Sequence, residues 1–322
     1  NDYRGAAVEI RRLNDKLRQL DTKYGEWVEE WNSQDTTGIK IERKPTNFYE
    51  DALANYISYL VFRADGERDN ARISFEKAVK AWELYPEIYD YPRPALLQDE
   101  PVHAVTTLNV MAFCGQPPRK VAVGGEITTF NDYIIVSDLS GYKTRIALFL
   151  PGLEEGWHFK FSFPDLRIKS SLVQNIRVLI NGELYGSLEL LEDVGNVADY
   201  TFQAKKNIIY FKTITRAVVK GIASEKAKKK LQEETETKDN FLFRNLINLG
   251  VDAIVDFTEN ADLRSWTSLP QLCYIGEYEL DPGEYNVTIQ FFSLDNLLIH
   301  EKTFQNYSIY PNLNLLEVTY LN

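Results

Sequence analysis

Pro86, Pro92, Pro94 and Pro101 bracket the segment EIYDYPRPALLQDE, and there the hydrophobic period of the chain changes. Proline has no amide hydrogen and a fixed φ, so a helix cannot run through this segment and extended backbone is favoured. Before it, apolar residues recur at helical spacing. After it they alternate, at Leu108, Val110 and Ala112, then Val121 and Val123, then Phe159, Phe161 and Phe163. The 322 residues are long enough for two units with cores of their own. The reading is α+β: a helical domain over 1–97 and a β-sandwich-like domain over 98–322.

In the front part, Ala6, Ile10, Leu13, Leu17, Leu20, Tyr24, Trp27 and Trp31 keep a four-three alternation that predicts one long amphipathic helix. Its seam either receives a partner helix or packs on the chain's own helices, and Trp27 and Trp31 are candidate partner-binding residues. Asn32 to Lys44 has no apolar periodicity and reads as a loop. From Leu53 to Pro86 two helices are broken at Asp65-Gly66, with Ala71, Phe75 and Ala78 at the packing positions of a tetratricopeptide (TPR) repeat. NDYRGAA looks like part of a further unit, so the natural chain is expected to begin upstream. About one and a half repeats cannot cover both faces of a stack, for which about three are usual.

The clearest strand signal is NIRVLINGELYGSLEL, where Ile176, Val178 and Ile180 alternate and Asn181-Gly182 forms a type I′ hairpin loop before Leu184, Leu188 and Leu190. From about 194 to 260 the pattern is helical again, an insertion between strands. Alternation returns with Tyr285, Val287, Ile289 and Phe291 after the Asp281-Pro282-Gly283 turn. Gly124-Gly125 reads as a turn or bulge. Cys114 and Cys273 fall on strands, as two buried thiols or one disulfide.

A net charge of −11 argues against nucleic acid as a partner, since that affinity comes from clustered Lys and Arg. No apolar run approaches the roughly 20 residues that span a bilayer. His103, His158 and His300 lie apart with no repeated ligand spacing, and His300-Glu301 meets Phe304 where a zinc-protease motif needs its second histidine. Phosphate-loop, dinucleotide and nucleophile-elbow motifs are missing from the sequence. The expectation is no metal, no cofactor and no catalytic residues, although a carboxylate pair at glycosidase separation leaves no mark in sequence.

Two constellations remain. Lys212, Arg216 and Lys220 at i, i+4 and i+8 make a basic stripe on a helix, either an anion or acidic-partner site or a set of ion pairs with the neighbouring sheets. In ENADLRSWTSLPQ, Asp262, Arg264 and Trp266 form either a stacking platform for a sugar or partner side chain or a latch with Trp266 capping the core.

In order, DYRGAA, GERDNARISFEKA, GQPPRK, RAVVK and ADLRSWTSLP resemble segments of an uncharacterised family of TPR-containing lipoproteins of the Gram-negative bacterial envelope. The resemblance implies a periplasmic protein tethered to the outer membrane by an upstream lipid anchor. It singles out Arg119, Lys120, Arg216, Lys220, Asp262, Arg264 and Trp266. The functional expectation is a non-enzymatic adaptor that docks an envelope protein through its helices; the alternative is a module binding peptidoglycan or another glycan, and further off a glycan hydrolase.

Overall fold

The structure, a computed structural model, describes residues 2–34, 50–98, 106–138, 145–149, 155–206, 209–210, 213–214 and 263–321. It is mixed α+β, with an N-terminal helical region followed by several sheets. Helix α1 runs Tyr3–Gln34, α2 Ala52–Asp65 and α3 Arg68–Leu84. Asp51 caps α2 by accepting from the Ala54 amide at 2.7 Å, and Gly66 ends it at φ +82°, a conformation that costs glycine little. Ala71, Phe75 and Ala78 are buried, as their spacing predicts. The proline segment folds back into the same core, with Ile88, Tyr89 and Leu97 all buried and a single 3-10 turn at Ala95–Leu97.

Among the described residues twelve strands follow: β1 Thr106–Cys114, β2 Arg119–Phe130, β3 Tyr133–Asp138, β4 Arg145–Phe149, β5 His158–Arg167, β6 Asn175–Ile180, β7 Glu183–Ser187, β8 Glu189–Asp193, β9 Leu272–Glu279, β10 Gly283–Phe292, β11 Leu298–Ile309 and β12 Asn312–Tyr320. They form three four-stranded sheets: sheet I in the order β12-β1-β9-β8, sheet II β11-β10-β6-β7 and sheet III β4-β3-β2-β5. Among the described residues only β1 and β12 pair in parallel, from Thr106 opposite Asn312 to Cys114 opposite Tyr320.

Strand alternation decides which sheets meet. Leu108, Val110 and Ala112 of β1 and Ile176, Val178, Val287, Ile289 and Phe291 of sheet II are fully buried in one apolar layer between sheets I and II. The next residues along, Met111, Cys273 and Ile275, join a second core with Ala7, Ile10, Tyr56, Leu60 and Phe75 of the helices. Sheet I is therefore covered on both faces. Cys114 and Cys273 point to opposite faces of it, because Cys114 lies opposite Leu272 and Phe113 opposite Cys273; both are free thiols.

Sheet III is built on β2. Gly124-Gly125 sits in the middle of this strand rather than in a turn, because a side chain at Gly125 would meet the Phe161 ring at 2.6 Å; glycine here makes room for an aromatic. The hairpin at Asn181-Gly182 has positive φ at both residues, as a type I′ turn requires. Leu184 nevertheless faces solvent: it pairs with outward-facing Leu179 beyond a register shift at Val178. Residues 194–206 begin the predicted helical insertion, and most of the remainder lies outside the described residues. Among the described residues, no helix is long and apolar enough to cross a membrane.

Candidate functional site

The polar chemistry of the described residues concentrates where α2 lies on sheet I. A strand that buries an apolar face elsewhere here carries Thr107 and Asn109, both buried. Tyr56 donates to Asn109 Oδ1 at 3.2 Å, and Asn109 Nδ2 donates to Thr107 Oγ1 at 3.1 Å. One turn beyond Tyr59, Arg63 donates to Glu277 of β9 at 2.6 Å and lies over the Tyr59 ring at 5.0 Å. Burial alone would depress the guanidinium, but the bond and charge of Glu277 outweigh it and hold Arg63 protonated.

At the other end of α2 two carboxyls share a closed site. Glu192, on the bulged part of β8, accepts from the Leu53 amide and from Tyr89 Oη, each at 3.1 Å. Its Oε1 is buried without a hydrogen-bond partner. Asp51 is close enough to add its charge. Burial first, then that neighbouring charge, pushes Glu192 well above the carboxylate range, and burial lifts Asp51 to about 6. Tyr91 seals the side: it donates to Leu191 O at 3.3 Å and accepts from the Asp193 amide at 3.1 Å. Glu192 is 1% exposed and Asp51 is partly buried; together they clamp helix to sheet, with burial favouring the neutral form of Glu192.

Sequence reasoning missed this cluster. Asp51 before an apolar helix is a legible cap signal, but nothing in the sequence joins it to a glutamate near position 192.

Of the residues that the sequence singled out, Arg119, Lys120, Arg264 and Trp266 fall at one end of sheet I. Cys114 lies opposite Leu272, so the segment carrying Arg119 and Lys120 leaves from the same end that the segment carrying Arg264 and Trp266 approaches. Gly115 and Gln271 confirm the proximity, since a side chain at Gly115 would meet Gln271 at 3.0 Å. Arg119 is exposed and Lys120 partly buried at the start of β2. Arg119 stands directly opposite Arg167 of β5, whose Nε lies 4.0 Å from Asp165 Oδ2, a pairing that offsets the like-charge repulsion.

Trp266 is 72% exposed and donates through Nε1 to Ser268 Oγ at 2.6 Å. It does not cap the core, which corrects that part of the latch expectation; the indole is largely exposed and hydrogen-bonded to Ser268. Arg264 is exposed beside it. Lys212, Arg216, Lys220 and Asp262 lie outside the described residues, as do the side chains of Trp27 and Trp31 on α1.

Along α1 the seam behaves in two ways. Ile10 and Tyr24 are buried, the first among the helices and the second donating to Ala204 O at 3.2 Å. Between them Leu13 is 38% exposed and Leu20 39% exposed. Among the described residues no group of three or more His, Cys, Asp or Glu side chains could hold a metal ion. No family model matches this chain, and no curated protein or solved structure matches it.

Proposed function

We propose that this chain is a non-enzymatic adaptor of the cell envelope, periplasmic and tethered to the outer membrane through a segment upstream of residue 1, that docks a partner protein on its helical layer. In this reading α2 and α3 form a TPR-like pair, and sheets I and II form a β-sandwich that holds the layer rigid. The observation that carries it is the exposed stretch of seam at Leu13 and Leu20, one heptad apart on a helix fixed at both ends. A preformed apolar stripe of this kind offers a partner helix a surface without an ordering cost.

A photocrosslinking residue placed at 13 or 20 should give one discrete adduct with an envelope protein, and the same residue at Lys16 should not. The same adducts from all three positions would sink the idea.

A second reading rests on Trp266. A largely exposed indole with an arginine close by in sequence suits stacking on a sugar ring, which favours a peptidoglycan-binding module. Tryptophan fluorescence should then shift on titration with peptidoglycan fragments and lose that response in Trp266→Ala. A flat titration with the unaltered protein would exclude this reading.

A further inference from the structure

The turn between β10 and β11, Ser293-Leu294-Asp295-Asn296-Leu297, is tightly built and yet tipped with leucine. Ser293 N–H donates to Leu297 O at 2.9 Å, the Leu297 amide donates to Ser293 Oγ at 3.3 Å, and Asn296 takes positive φ. Arg177 of β6 lies over the Phe292 ring at 4.3 Å and donates to Asn296 Oδ1 at 2.8 Å, clamping the turn from the side. Despite this order Leu294 is 82% exposed and Leu297 63% exposed. Polar residues ordinarily occupy such tips.

More leucines surround them. Leu298 opens β11, and Leu321 follows Tyr320, whose ring stacks on His300 of β11 at 4.4 Å. Leu172 precedes Gln174, whose amide donates to Phe292 O at 2.8 Å. All three are exposed. Three separate segments thus bring aliphatic side chains to one corner where sheets I and II end.

We propose that this corner seats on an anionic lipid surface, with the leucines entering the interfacial layer and the cations behind them meeting headgroups. Charge points to that occupant. The chain carries −11 overall, but at this end Arg177, exposed Lys169, Arg167 and Arg119 outnumber Asp295 in the turn, Glu301 level with Arg177 across sheet II, and Asp165 beside Arg167. Residue type points the same way: protein interfaces draw their binding energy from Trp, Tyr and Arg, with Leu under-represented, whereas protruding aliphatic tips with basic neighbours suit a lipid interface. The contact is separate from the proposed partner stripe on α1 and from any upstream tether.

The test is co-sedimentation of the full chain with phosphatidylglycerol–phosphatidylethanolamine vesicles and with phosphatidylcholine vesicles. The unaltered protein should partition onto the anionic vesicles in preference. Leu294→Ser with Leu297→Ser should weaken partition by about tenfold or more, while Leu184→Ser, an exposed leucine at the β6–β7 hairpin, should change nothing. A fluorophore on Leu297→Cys, accessible because both native thiols are buried, should shift to the blue on anionic vesicles. No binding by the unaltered protein, equal binding to both vesicle types, or an unshifted fluorophore would overturn the proposal. So would concentration-dependent dimers that the double substitution abolishes without any vesicle binding, which would assign the corner to a second copy.

Discussion

Along β1, Leu108, Val110, Ala112 and Cys114 face sheet II, while Thr107, Asn109, Met111 and Phe113 face the helices. The first face meets its partner mainly through aliphatic and aromatic surface, an attraction that is strong but non-directional, with Tyr307 of β11 donating to Leu315 O of β12 at 3.0 Å. The second mixes apolar contacts with Tyr56–Asn109, Arg63–Glu277 and the Asp51–Glu192 clamp, whose geometry accepts one seating of α2. One sheet thus uses bulk apolar burial to stay folded and a polar seam to fix the position of the helical layer that we propose for docking.

Substitutions can separate these roles. The largest effect is expected in the apolar layer: Phe291→Ala removes a fully buried ring and should cost about 3–5 kcal/mol in urea unfolding, equally at pH 5 and pH 8. In the polar seam, Arg63→Ala strands Glu277 against Tyr59 and should cost about 1–3 kcal/mol. Glu277→Gln added to it should recover part of the loss, and if it recovers none, the charge of Glu277 is not the cause.

The clamp gives a pH signature. Asp51 and Glu192 both bind protons more tightly in the folded chain, so the folded state holds the extra protons and stability falls as they leave. Their contribution is complete below the unfolded values of roughly 4. It declines as pH rises through about 6 for Asp51 and further for Glu192. Asp51→Asn with Glu192→Gln keeps the cap and the shape, so the unaltered protein should lose more melting temperature between pH 5 and pH 8 than this variant. Parallel profiles would mean that the clamp carries no titrating charge. The smallest effect is expected at the surface, where Leu184→Ser should stay within about 0.5 kcal/mol.

What could be read in the sequence was local. The helix break at Gly66, the hairpin at Asn181-Gly182 and the alternation of β10 each follow from residues a few positions apart. Sheet III was only partly legible, because Gly125 is explained by a phenylalanine that meets it across the strand. For Trp266, neighbouring Leu269 and Pro270 suggested core, but the hydrogen bond to Ser268 turns the ring outward. The clamp was illegible, since a buried glutamate reads like any surface acid until its partner is placed.

The parallel pairing of β1 with β12 joins residues far apart in the chain, Thr106 with Asn312. Tyr3 Oη makes a similar link, donating to Leu313 O at 3.1 Å. During synthesis on the ribosome, β1 would therefore emerge long before both its neighbours, β9 and then β12. High contact order of this kind slows folding and leaves an open edge for wrong pairing. The closing step waits for β12, so a nascent chain halted before residue 312 would leave that edge of β1 open.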